Sequence, residues 1–123
     1  MRKKLYITVN PQTGEVTLSP ALCKKMGITR KEPAFILVSY AKEIDKFCLA
    51  RAPKEATEEM FVNVVSYHPG TKSFGTILGG LHDQITVAGI LYRMDIDGME
   101  EIDLPIEPIK LKDKTTVYAI NKI

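Results

Sequence analysis

This 123-residue chain has no tryptophan, two cysteines, two histidines and a net charge of only +2. Each shortage removes a class of function. A membrane-spanning helix needs about 20 consecutive apolar residues, and runs such as Ala34–Val38 are far shorter. The start, Met1-Arg2-Lys3-Lys4-Leu5-Tyr6, is basic, but no apolar segment follows it, so no signal peptide is expected. Cys23 and Cys48 are too few for a disulfide framework; in a chain without an export signal they read as reduced, buried thiols, which implies the cytoplasm. No His and Cys have metal-ligand spacing, so no metal site is expected. His68 reads as a turn residue beside Pro69, and His82 as an ordinary surface or packed histidine. Gly79-Gly80 lacks the Lys-Ser/Thr of a phosphate loop. The acidic residues around Gly98 (Asp95, Asp97, Glu100, Glu101, Asp103) lack the closing Glu of a calcium loop and read as a solvated turn. No catalytic constellation or cofactor motif is left, and the chain is expected not to be an enzyme.

What is present is ordinary for a soluble globular domain: 45% apolar and 26% charged residues. A chain of this size buries roughly two-thirds of its surface and needs no staples to fold. The charge is unevenly spread. Residues 1–60 carry eleven Lys/Arg against seven Asp/Glu, and residues 61–123 carry six against eight. Basic surface is concentrated at Arg2-Lys3-Lys4, Lys24-Lys25 and Arg30-Lys31.

The stretch Gly14–Ile28 carries the clearest local signals. Val16 and Leu18 alternate with polar residues as in a strand. Ser19 is suited to cap a helix, with Pro20 at its first position. Leu22 and Met26 put an apolar stripe on a short helix, Gly27 fits the left-handed stop, and Ile28 folds back. Leu5–Val9 reads as a strand, joined to Val16–Leu18 by the turn Asn10–Gly14. Ala34–Tyr40 and Ile44–Ala50 read as a second pair of strands around a turn near Lys42-Glu43. Residues 54–60 are polar and acidic and read as a linker. Beyond them, Phe61–Tyr67 and Phe74–Leu78 read as strands about the turn His68–Thr71, and Leu81–Ile85 as one helical turn. Val87–Asp95 reads as a long β-prone run, and Ile102–Ile106 as extended. Pro105 and Pro108 point to an edge or non-ladder position. Thr115–Ile120 reads as a closing strand after the turn Lys112–Lys114.

Laid on itself so that Pro11 meets Pro69, the chain shows a weak internal repeat. Leu22–Met26 then meets Leu81–Ile85, and Glu43-Ile44-Asp45 meets Glu101-Ile102-Asp103. Each half has too few strands to close a core. Two copies interleaving their hairpins hide the sheet edges in one barrel, an intrachain pseudo-dimer. The expected organisation is a first unit over 1–53, a linker over 54–60 and a divergent second β unit over 61–123.

Residues 5–53 resemble the AbrB/SpoVT/MazE swapped-hairpin family of bacterial DNA-binding domains. The resemblance rests on Gly14-Glu15-Val16-Thr17-Leu18-Ser19-Pro20, on Leu22-Cys23-Lys24-Lys25-Met26-Gly27-Ile28, and on the strands Phe35–Val38 and Phe47–Leu49. A double-copy chain is similar to the MraZ proteins of the same superfamily. The resemblance implies a mostly β fold with short helical turns, a swapped-hairpin barrel, and a DNA-facing set of Lys3, Lys4, Lys24, Lys25, Arg30 and Lys31. Such residues neutralise phosphates and give salt-sensitive affinity, whereas no residue is identifiable for base readout. The sequence departs from the family pattern at Glu15 and Cys23, where basic residues are usual, and at Lys31-Glu32, where Gly-Asp is usual.

The expectation is therefore a cytoplasmic, non-catalytic DNA-binding transcriptional regulator or antitoxin-like protein without membrane or small-molecule cofactor. The alternative is a structural, assembly or protein-interaction module on the same fold, for example of a phage or mobile element, without DNA binding. Glu15 and the acidic second half favour it. A pseudo-dimer can be monomeric, or two barrels can pair as a homo-oligomer through an edge strand such as Thr115–Ile120.

Overall fold

Strand β1 (Tyr6–Val9) buries Ile7 and Val9, while Tyr6 and Thr8 face outward. It returns as β2 (Glu15–Leu18), which buries Val16 and Leu18. The turn between them needs Gly14: its φ is 77°, and a Cβ there would sit 2.5 Å from the Leu78 carbonyl oxygen. Helix α1 (Pro20–Met26) follows, with Ser19 as N-cap and Gly27 at φ 73° as its stop. Ile28 N–H closes back on the Cys23 carbonyl at 2.8 Å, which completes a Schellman end. Next come β3 (Ala34–Ala41) and β4 (Lys46–Arg51), then β5 (Asn63–His68) and β6 (Ser73–Ile77). Helix α2 (Val87–Arg93), β7 (Ile102–Lys110) and β8 (Thr116–Ile120) complete the order. The computed structural model describes residues 4–31, 34–52, 63–78 and 86–122. The linker expected at 54–60, the helical turn at Leu81–Ile85, His82 and Lys3 all lie outside these residues.

The eight strands of the described residues form one closed antiparallel barrel in the order β1-β2-β6-β5-β3-β4-β8-β7, with β7 returning to β1. Hairpins from the first and second halves of the chain thus alternate around the ring. Neither side of the β1–β2 hairpin meets a strand of its own half: β1 pairs with β7 and β2 with β6. The main core runs through the barrel, with Ile7, Leu18, Leu22, Ile36, Leu49, Ile90, Leu104 and Ile120 all under 2% exposed. A second, smaller cluster holds Cys48, Val117 and Ala119, covered by Ile44 of the β3–β4 turn and Leu111 of the β7–β8 turn.

Several expectations need correction. Val87–Asp95 is not a strand. Thr86 caps it as a helix, its side chain accepting from Gly89 N–H at 3.0 Å, and Val87, Ile90 and Leu91 bury one helical face. In the overlay of the two halves, Pro11 and Pro69 fall in the β1–β2 and β5–β6 turns, and the match of Leu22–Met26 to Leu81–Ile85 lies outside the described residues. Glu43–Asp45 form the β3–β4 turn, whereas Ile102 and Asp103 open β7. Thr115–Ile120 is not an edge, since β8 is paired with both β4 and β7.

Pro105 and Pro108 lie inside a strand that has a neighbour on each side, not at a sheet edge. They are tolerated because each stands where one ladder runs out. The Pro105 carbonyl accepts from Asn121 N–H at 2.8 Å, one residue past the end of β8. The Pro108 nitrogen, three residues on, faces the β1 side, where the paired register with β1 has already ended at Pro105.

Candidate functional site

Helix α1 leaves the end of β2 and stops beside Arg51, the last residue of β4. These strands stand four places apart in a ring of eight, so α1 lies across one mouth of the barrel. Strand β6 runs antiparallel to β2 and leads toward α2 at the other mouth, where the Arg93 guanidinium stacks 4.4 Å from the Tyr40 ring centroid.

The α1 end is held by one buried hydroxyl. Ser19, 3% exposed, accepts at Oγ from Leu22 N–H (3.3 Å) and Tyr6 N–H (3.2 Å), and donates to the Lys4 carbonyl (3.1 Å). This fixes the backbone of Lys4 against the start of the helix. Lys24 and Lys25 occupy its last turn, where cations complement the carbonyl end of the helix dipole. Seven residues of helix span about 10 Å, so these backbones fall within one helix length. The Lys25 carbonyl accepts from the Tyr118 hydroxyl at 3.4 Å, which ties the same turn to β8.

Two further cations join this set. Arg51 donates to the Gly27 carbonyl at 2.5 Å, and Lys72 of the β5–β6 turn lines a hollow together with Lys24. Arg30, in the connection after α1, stacks its guanidinium 4.3 Å from the Tyr67 ring centroid, and Tyr67 in turn packs on Phe74. Lys31 is exposed in the same connection. Of the six residues expected at the site, Lys4, Lys24, Lys25, Arg30 and Lys31 are therefore exposed residues of α1 and its flanking segments. Sequence reading missed Arg51 and Lys72. No local signal marks either one, because antiparallel pairing across the barrel brings β4 and the β5–β6 turn to this mouth.

Carboxylates gather elsewhere. A broad groove of about 990 Å³ runs along the outer face of β2, β5 and β6, lined by Thr17, Ser66 and His68 together with Glu15 and Glu101. Thr8 on its rim donates to Asp103 Oδ1 at 2.6 Å. No Lys or Arg lines this groove among the described residues.

The thiols are not poised for chemistry. Cys23 is 4% exposed and its Sγ donates to the Leu18 carbonyl at 3.9 Å. Burial pushes its thiol from 9.0 up to about 11, so it is protonated at neutral pH. Burial also raises Cys48, against a smaller opposing effect of a backbone hydrogen bond and Lys46. Among the described residues, no three His, Cys, Asp or Glu side chains gather as a metal-binding group, and no helix is long and apolar enough to cross a membrane.

Comparison with protein-family models, curated proteins and solved structures gives no match to this chain.

Proposed function

We propose that this protein is a non-catalytic DNA-binding regulator or antitoxin-like protein of the AbrB-like swapped-hairpin type, with two duplicated units in one chain. The carrying observation is the basic set around one helix: Lys4, Lys24, Lys25, Arg30 and Lys31, joined by Arg51 and Lys72. Cations grouped on one mouth of a rigid barrel suit a polyanion, since each phosphate neutralised releases counterions. The architecture supports the duplication. Exchanging β1–β4 with β5–β8 leaves the ring order unchanged, and each half runs hairpin, capped helix, hairpin. Ser19 and Thr86 fill the same capping role in the two halves. This reading includes a chain organised as 1–53, 54–60 and 61–123, working in the cytoplasm.

The test is a duplex-DNA titration at about 50 and about 200 mM salt, a range over which phosphate contacts weaken binding steeply. The expected result is binding at low salt that falls sharply at high salt. Absence of binding to any duplex at low salt rejects the reading.

A second reading, a structural, assembly or protein-interaction module without DNA affinity, is favoured by one observation. The long outer groove of the barrel carries Glu15 and Glu101, with Asp103 beside it, and repels a polyanion there. A large defined oligomer in light scattering, free of co-purified nucleic acid, selects this second reading.

A further inference from the structure

Between α1 and the start of β6 lies a hollow of about 300 Å³. Its inner wall is apolar: Leu18 and Ile28 are buried and Phe74 is half-buried. Two exposed lysines are among the residues that line it, Lys24 from the last turn of α1 and Lys72 from the β5–β6 turn. Among the described residues, no acidic side chain lines it. An apolar hollow with a few convergent polar groups is the usual form of a small-molecule site, and this volume falls at the lower end of the usual range.

We propose that this hollow binds a small apolar carboxylate, with its hydrocarbon part against Leu18, Ile28 and Phe74 and its carboxylate between Lys24 and Lys72. The charge pattern selects an anion, because among the described residues the hollow is lined by two lysines and no carboxylate. The wall selects an apolar body, which gains by leaving water, whereas free inorganic phosphate gains nothing from Leu18 or Phe74. The volume selects a short chain or a single ring. Cys23 also lines the hollow, but its thiol is directed to the Leu18 carbonyl, so the ligand is held without a covalent step. Lys24 and Lys72 also belong to the basic set proposed for DNA, but the carboxylate titration is run without DNA, so its outcome and that of the DNA titration are read separately.

The experiment follows the methyl resonances of Leu18 and Ile28 in the full chain during titration with octanoate, 1-octanol and inorganic phosphate. Octanoate is expected to shift both methyls saturably. Octanol is expected to bind about tenfold more weakly, as the contacts of the two exposed lysines are lost, and phosphate to leave both methyls unmoved. The double variant Lys24→Gln with Lys72→Asn should bring octanoate down to the level of octanol while leaving octanol unchanged. Asn is chosen because Lys72 has φ 52°, a region that Asn tolerates. The proposal is overturned if octanoate gives no saturable shift, if octanol binds as tightly, or if the double variant holds octanoate as well as the native chain does.

Discussion

The Arg51 guanidinium donates to the Gly27 carbonyl at 2.5 Å and to the Met26 carbonyl at 3.3 Å, so the end of β4 caps α1 from across the barrel. This contact joins a helix stop written in local sequence to a strand that follows it by a full hairpin. A Cβ on Gly27 would stand 2.8 Å from Arg51 Nη1, at a residue whose φ is 73°. Gly27→Ala is expected to cost about 1–2 kcal/mol, from the left-handed backbone and the displaced cap. Arg51→Ala should cost about 1 kcal/mol. In the double variant the two losses should sum to less than their separate values, because Arg51 no longer has to move. Urea unfolding of the four proteins measures this.

Ser19 and Thr86 both cap helices, but their surroundings differ. Ser19 Oγ is buried and joins three backbone groups, whereas the half-buried Thr86 accepts from Gly89 N–H. Ser19→Ala is expected to destabilise by about 2–3 kcal/mol, since buried backbone groups lose their partner. Thr86→Ala should cost about 1 kcal/mol. Equal losses in denaturant midpoints would contradict the burial difference.

Cys23 makes stability depend on alkaline pH. Its folded value of about 11 lies above the ordinary 9.0 because burial disfavours the thiolate. The folded state therefore holds the proton more tightly. The associated stability is complete below pH 9 and is lost as pH rises toward 11, on the order of 2 kcal/mol. Cys23→Ala should remove that part of the pH slope. The comparison is native against variant at pH 8 and pH 10.5, so that lysine and tyrosine titrations common to both cancel.

If the α1 mouth carries DNA, Lys24→Gln with Lys25→Gln should lower the slope of log affinity against log salt by about 1.8, two phosphate contacts at about 0.9 each. An unchanged slope would exclude these lysines from the interface, whatever the absolute affinity.

The first half should not close a core on its own. Both flanks of the β1–β2 hairpin are supplied by β6 and β7, and the far side of β3 is supplied by β5. A fragment ending at Ala52 is expected to lack cooperative unfolding as a monomer and to gain it when mixed with the remainder of the chain. A monomeric fragment that unfolds cooperatively would disprove the dependence.

The legible parts of this protein were those whose signals lie within a few residues. Ser19, Pro20, Gly27 and Ile28 mark α1 with caps that act locally, and the structure uses each of them. The β1–β2 hairpin is equally local, with Gly14 at positive φ where the turn requires it. Helix α2 was hidden by composition. Val87, Ile90, Leu91 and Tyr92 are residues that suit a strand, and the spacing of Val87, Ile90 and Leu91 was the only sign of a buried helical face.

The amino-acid sequence by itself determined the hairpin turn of residues 10–14, the second turn, read at His68–Thr71 and found one residue later at 69–72, the capped helix α1, and the surplus of cations in the first half. Tertiary structure alone decided that β1 pairs with β7 and β2 with β6, and that Arg51 and Lys72 join Lys24 at one mouth. The physical reason is range. Caps and turns satisfy backbone groups a few bonds away, while barrel closure satisfies strand edges such as Thr8 and Asp103, 95 residues apart, for which no local pattern selects a partner.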